Sequence, residues 1–470
     1  MGIALALALL LALAAEARAN KFAVAQCGWY VGADADWADT TGGAKFRPDG
    51  YCVPAGGGDP FDGSHLKSFT RDGQGTVSGN RFARWRWTAP PGAWITQVRG
   101  TWWHALHDGI EQRIGAIDFA GNFSPFRVAA ATDVAPQEFV AGFAAPVAAL
   151  EDRLLCARSD AKWCSLDAGS WSALRALTVT LEDPSVPAPA IAGEITAPGW
   201  QRGTRGIAIS GVDGGSGIRF AETLLDGSRA ALTEFPCAIA RIGSEWRGTR
   251  MLPCSLAAAA TQTIATTAYS DGPHALVHCD TDFAGNLGCI GPHTVLIDNN
   301  PPAHPRSLKI AGGEGWRRSN DFDLSWTNPD QGSASPVAGV GWRLTGPAGF
   351  DGGVRFAAGR DRDTLSDLVV PAAGSYPLAL WLRDDAGNEA PGSPVTVPLR
   401  FDDVPPSVDF LPAEGSPAPA LVEAEVGDAH SGPATGSIFY RRADSEHWSE
   451  LPTKLVAGAP GSARLRAPLP

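Results

Sequence analysis

His104, His107, Asp108 and Glu111 offer two imidazoles and two carboxylates in one short stretch, the residue types that hold a divalent metal. The spacing argues otherwise. Residues three apart face opposite sides of a strand, and Asp108-Gly109 is a hairpin-turn dipeptide. Acid pairs such as Asp59 with Asp62, and Asp361 with Asp363, have the types a glycosidase needs, where two carboxyl groups flank the scissile bond at about 5 to 9.5 Å. Acids in loops are more often simply solvated. The sequence has no G-x-S-x-G, H-E-x-x-H or G-x-x-x-x-G-K, so the expected protein is non-catalytic.

Calcium is the stronger inorganic candidate. Hard oxygen ligands gather at Asp282, Asn286, Asp298 and Asn299, and again at Asp384, Asn388, Asp402 and Asp403. Several carboxylates with backbone carbonyls at a joint between domains make a Ca2+ donor set. The preferred reading is that these Asp and Asn residues close turns and that no cofactor is required, with Ca2+ as the alternative. Tryptophan points to a different ligand. Sugar rings present apolar C-H faces that stack on indoles, while neighbouring acids, amides and His bond the hydroxyls. Nine of the 16 Trp precede residue 184, and Trp102, Trp103, His104 and Asp108 are the candidate ligand-binding residues. Adjacent Trp102 and Trp103 must point to opposite faces, one to core and one to solvent; Trp85 and Trp87 must share a face.

The eight cysteines form four close pairs: Cys27 and Cys52, Cys156 and Cys164, Cys237 and Cys254, Cys279 and Cys289. No C-x2-C pair exists, which disfavours zinc, and nearest-neighbour disulfides are expected. An oxidising compartment agrees with the N-terminus, where residues 2–15 are apolar and Ala17-Arg18-Ala19 is a small-x-small cleavage pattern. Residues 1–19 read as a secretory signal, and no later segment is expected to cross a bilayer.

These residues must be positioned by strands. The pentapeptide D-x-A-G-N occurs at 118–122, 282–286 and 384–388, and it predicts a tight hairpin: Asp accepts backbone N-H bonds and Gly supplies a positive φ. Cys279 and Cys289 flank the second copy, as a bridge across hairpin arms would. Acidic or amide clusters before prolines, Glu182-Asp183-Pro184, Asp298-Asn299-Asn300-Pro301-Pro302 and Asp402-Asp403-Val404-Pro405-Pro406, mark stiff linkers. Domains are expected at 20–183, 184–300, 301–404 and 405–470. Gly199-Trp200-Gln201-Arg202 and Gly315-Trp316-Arg317-Arg318 open the second and third, and alternating strands follow (206–210 and 322–326). The last domain lacks a D-x-A-G-N hairpin, so its final strands are expected beyond Pro470. With 55 Gly and 37 Pro the chain is too turn-rich to be helical, and its net charge of -12 disfavours a nucleic-acid partner.

Short alternating strands, a D-x-A-G-N hairpin and Asp/Asn-Pro linkers in units of about 100 residues make residues 184–470 resemble the tandem immunoglobulin-like repeats of bacterial surface and secreted proteins. The resemblance implies antiparallel β-sandwiches acting as spacers or adhesion modules outside the cell. Residues 20–183, with an Asp108-Gly109 hairpin between long strands, look like a jelly-roll of the lectin or carbohydrate-binding kind. The expectation is an all-β, monomeric, secreted or cell-surface chain whose N-terminal domain binds a glycan or another surface. A purely structural or adhesive rod is the alternative, and a carbohydrate-active enzyme in the first domain a third reading.

Overall fold

The computed structural model describes residues 20–28, 32–40, 45–50, 52, 65–70, 75–159, 162–412 and 421–470. The leader at 1–19, Trp29, and the pair Asp59 and Asp62 lie outside the described residues. Among the described residues the chain is all-β, with strands interrupted by three short 3-10 turns and no α-helix. Frequent Gly and Pro break any helical run, and period-two alternation leaves each strand one apolar face to bury.

The described part of residues 20–183 forms two large sheets and a small antiparallel pair, Thr76–Ser78 with Trp163–Ser165. One has the order Asp36–Asp39, Phe82–Thr88, Ala149–Cys156, Ile110–Ile117, Phe123–Ala129. The other centres on Trp94–Ala105 paired with Trp171–Asp183, flanked by Asp133–Val147 and Asn20–Gln26. Alternation sorts the side chains. Along Phe82–Thr88, Trp85 and Trp87 enter the core while Arg84 and Arg86 turn outward. Next to them, Glu151 is buried beneath Arg84, Arg86 and Arg153 at 3.1, 3.3 and 2.7 Å. The core between the sheets holds Trp87, Ile95, Val98, Trp102, Leu174, Val179 and Leu181.

The second and third domains repeat one strand order. In 184–300 the first, second and fifth strands (Ala188–Ala192, Thr204–Val212, Ala257–Ala265) form one sheet. The fourth, third, sixth and seventh (Ser228–Glu234, Ile218–Leu225, Gly272–Asp282, Leu287–Ile297) form the other. In 301–404 the same two groupings recur with Arg306–Ile310, Phe322–Thr327 and Thr364–Leu368 opposite Asp351–Ala358, Val337–Thr345, Gly374–Asp384 and Val395–Phe401. This division of seven strands is that of an immunoglobulin or fibronectin type III sandwich. Residues 405–470 contribute Ser407–Phe410, Leu421–Gly427, Ser462–Pro468 and Lys454–Ala457 as one sheet and the pair Phe439–Tyr440 and Ser449–Glu450 as another.

All four disulfides join nearest neighbours, with Cα-Cα distances between 4.1 and 5.8 Å. Cys279–Cys289 bridges the arms of the hairpin at 282–286, as its spacing predicts.

The chain divides into two compact units. One contains the described residues up to Ala197 together with Thr204–Ala265 and His274–Val295; the other contains Pro198–Gly203, Thr266–Pro273 and Leu296–Pro470. Within the first, the second sandwich sends a hairpin, Ile239–Ile242 with Glu245–Gly248, onto the edge of the N-terminal sheet. Cys237–Cys254 closes its base, and Val24 pairs in parallel with Gly248. Gln26 Nε2 donates to Thr249 O at 3.3 Å, the Met251 N-H donates to Asp34 at 2.9 Å, and Met251 joins the N-terminal core. The edge strand Asn20–Gln26 is thereby covered rather than left open for pairing.

Candidate functional site

The four candidate ligand residues do not converge. Trp102 is 6% exposed and packs in the core, and its ring lies 5.1 Å from that of His104, itself 4% exposed. Burial lowers the His104 pKa, against the opposing charge of Asp133. Neither ring offers a face to a ligand, because inward alternation from the long strand places both between the sheets. Trp103 is the outward partner, half-buried and edge-on to His65 at 5.9 Å. Asp108 sits at the hairpin tip with φ 48°, followed by Gly109 at 75°, and its carboxylate is held by Arg158 at 2.7 Å. Glu111 pairs with Arg113 at 2.8 Å, so the stretch 104–111 forms no metal cluster.

What the outer sheet face presents instead is a groove of about 510 Å3 lined by Arg99, Thr101, Glu138, Thr178 and Arg247. Alternation aims Arg99, Thr101 and Trp103 outward along one strand, while Glu138 lies in register with Thr101 and Thr178 with Arg99. A bulge between Arg175 and Thr178 bends the floor. The hairpin from the second sandwich forms a wall: Arg247 reaches Thr178 Oγ1 at 3.4 Å and Glu245 at 3.2 Å. Arg99 and Glu138 have no ion-pair partner among the described residues, which leaves both free for a polar ligand. Trp103, singled out from the sequence, faces outward on the same strand but does not line the groove; Arg99, Glu138 and Arg247, which do, were not singled out. The outward row was readable from alternation; the wall, supplied by residues far along the chain, was not.

The Asp/Asn clusters resolve into a recurring polar knot. In the second and third sandwiches the D-x-A-G-N hairpin meets the linker that precedes its own sandwich. In the first unit Asp183 accepts N-H bonds from Ser185 at 2.9 Å and Ser216 at 2.6 Å. Asp282 accepts from Gly285 and Asn286 at 2.6 and 2.8 Å, and Asn286 Nδ2 donates to Asp183 O at 3.1 Å and to Asp282 at 2.7 Å. Gly285 has φ 95°, the positive value that the motif requires. In the second unit Asp298 accepts from Ser335 at 2.9 Å, Asn388 Nδ2 donates to Asp298 O at 3.0 Å, and Asn299 accepts from the Gly203 N-H at 2.8 Å. Asp402 repeats the pattern with Ser431 at 3.0 Å and Val404 at 3.1 Å. The Gly-Trp-x-Arg motif has its place here too, since the Asp298 N-H donates to Gln201 O and the Asp402 N-H to Arg317 O, both at 2.9 Å.

Carboxylate oxygens of Asp183, Asp213 and Asp282 lie within 4.8 Å of one another. Burial, with the charges of Asp183 and Asp213 adding to it, pushes the Asp282 carboxyl up to about 7. Asp384 in the second unit is raised by burial first and by Asp298 next. Both side-chain oxygens of Asp183 and of Asp282 already accept an N-H. The melting temperature is expected to be equal in EDTA and in millimolar Ca2+. A rise with Ca2+ would assign a metal to Asp213 Oδ1, which is buried without a hydrogen-bond partner.

No family model matches the sequence, and no curated protein matches it. Among solved structures, the chain is similar to a titin fragment at TM-score 0.29 and 12% identity, covering 71% of this chain and 95% of that one. It is similar to the fibronectin(III)-like modules of Clostridium thermocellum CbhA at TM-score 0.24 and 13% identity, covering 46% of this chain and 94% of that one. A chicken CNTN1 fragment gives TM-score 0.24 and 11% identity, covering 67% of this chain and 99% of that one. The sandwich assignment rests on the strand order. Four disulfides are characteristic of chains that mature in an oxidising compartment, and among the described residues no helix is long and apolar enough to cross a membrane.

Proposed function

We propose that this is a non-catalytic extracytoplasmic protein that binds a glycan on the outer sheet face of a lectin-like N-terminal sandwich, with the immunoglobulin-like sandwiches as spacers. The groove carries the reading: Arg99, Thr101 and Glu138 form a hydroxyl-binding set in it, and Trp103, outward on the same strand, provides an indole further along that face. The apolar leader and the four disulfides support export.

A glycan array on the full chain, followed by calorimetry on the best glycan, tests it. Trp103→Ala and Arg99→Ala are each expected to weaken binding roughly tenfold or more while the fold persists. If no glycan binds, or if both variants bind as tightly as the parent, the groove reading fails and the structural or adhesive rod takes its place. Incubation of the bound polysaccharide with the protein is expected to release no shortened product; release would favour the enzyme reading.

A further inference from the structure

The groove on the N-terminal sheet carries its charges unevenly. Arg99 and Arg247 both line it, and Glu138 is the one acid among the described residues that do. Arg99 is exposed and follows core Val98 on Trp94–Ala105. Directly opposite it on Trp171–Asp183 stands Thr178, between core Leu177 and Val179. Directly opposed residues of an antiparallel pair share a face, so Arg99 and Thr178 are neighbours on the outer side of the sheet. Arg247 arrives from the hairpin of the second sandwich, and its Nη1 donates to Thr178 Oγ1 at 3.4 Å. Thr178 thus adjoins two guanidinium-bearing side chains.

Neither arginine is neutralised firmly. Across the other strand pair Arg99 faces Val140, which is 60% exposed, while exposed Glu138 faces Thr101 two residues away. Its cross-strand neighbours are therefore a valine and a threonine, and no carboxylate is in register with it. Arg247 bonds Glu245 through Nη2 alone, at 3.2 Å, while its Nε is buried without a hydrogen-bond partner. The Glu245 side chain is 67% exposed, and an ion pair so placed contributes little and yields to a better anion. Two positive charges against one acid line this groove in a chain whose net charge is -12, so the sign is inverted locally. Val140 and Ile242 add apolar contact for the C-H face of a sugar ring.

We propose that the groove takes an acidic glycan, with a carboxylate or sulfate group of one sugar held by Arg99 and Arg247 over Thr178, and a ring hydroxyl bonded by Glu138. The planar guanidinium fork matches either anion through paired N-H donors. The inference rests on the glycan reading of this face and adds the charge of the ligand to it.

The test is calorimetry on the full chain with polysaccharides in acidic and neutral pairs. Polygalacturonate and hyaluronan are each set beside their carboxyl-reduced polymers, and dextran sulfate beside dextran. At least one acidic member is expected to bind about tenfold or more tightly than its neutral twin, and the pair that shows the difference distinguishes carboxylate from sulfate. Arg99→Gln, at an exposed position, and Arg247→Gln are each expected to abolish that preference, the first with an unchanged melting temperature. Equal affinity within every pair, or no binding to the acidic members while a neutral glycan binds, would overturn the inference and leave the glycan reading standing. Binding to no glycan at all fails both. An acidic preference that survives Arg99→Gln would also overturn it, because the anion would then be held elsewhere. So would polyglutamate bound as tightly as the best acidic polysaccharide and lost in Arg99→Gln, which would make the groove a site for acidic peptides.

Discussion

Trp102→Ala is expected to destabilise the N-terminal sandwich by about 3 to 5 kcal/mol, the range for truncating a large aromatic in a packed core. The ring is 6% exposed and lies among Ile95, Leu174 and Leu177, so its loss leaves a cavity that the two sheets are too constrained to fill. Trp103→Ala, one residue along, removes a ring from the outer face and is expected to cost about 1 kcal/mol or less of stability. Urea unfolding followed by tryptophan fluorescence separates the two. Equal losses for both variants would mean that Trp103 is as much a core residue as its neighbour and would remove it from the binding face.

Asp152→Asn is expected to stabilise the same domain at alkaline pH by up to about 4 kcal/mol and to change little in acid. Asp152 is fully buried between the sheets with Gln112 Nε2 donating to it at 2.8 Å, and burial pushes its carboxyl up from 3.8 to about 7. Below pH 3.8 the group is protonated whether folded or unfolded, and its stability contribution is complete. Between 3.8 and about 7 the unfolded chain ionises while the folded one stays protonated, so stability falls as pH rises and levels off above that range. Asn has the shape of the protonated acid and keeps an acceptor for Gln112, which removes the slope. Melting curves from pH 4 to 9 check the outcome, the range spanning the raised value near 7; parallel curves for parent and variant would refute it. Glu151, its neighbour in sequence, faces outward under three arginines instead, which shows how one step along a strand exchanges a dry site for a charge-paired one.

Much of the fold was legible because it is local. Period-two alternation placed Trp85 and Trp87 inward together and sent Trp102 and Trp103 apart. D-x-A-G-N closed its hairpins at each position, with glycine φ values of 87, 95 and 82°. The cysteine spacing led to the observed bridges. Less was legible of the sites. Trp102 and His104 read as ligand residues and are core, since alternation states that two neighbours face opposite ways without saying which face is covered. The Asp/Asn residues of each hairpin read as partners of the linker that follows, whereas Asn286 and Asn388 bond to the linker before.

By itself the sequence determined strand, turn and bridge, features set by φ preferences, side-chain alternation and short loop closure. The tertiary structure alone decided which distant residues meet: Arg247 and Arg99 lining one groove, and Gln262 of one sheet bonded to Thr223 of the facing sheet. Such encounters depend on register and sheet packing, where a shift of one residue exchanges inside for outside, and no local pattern encodes which inward residue lies opposite another.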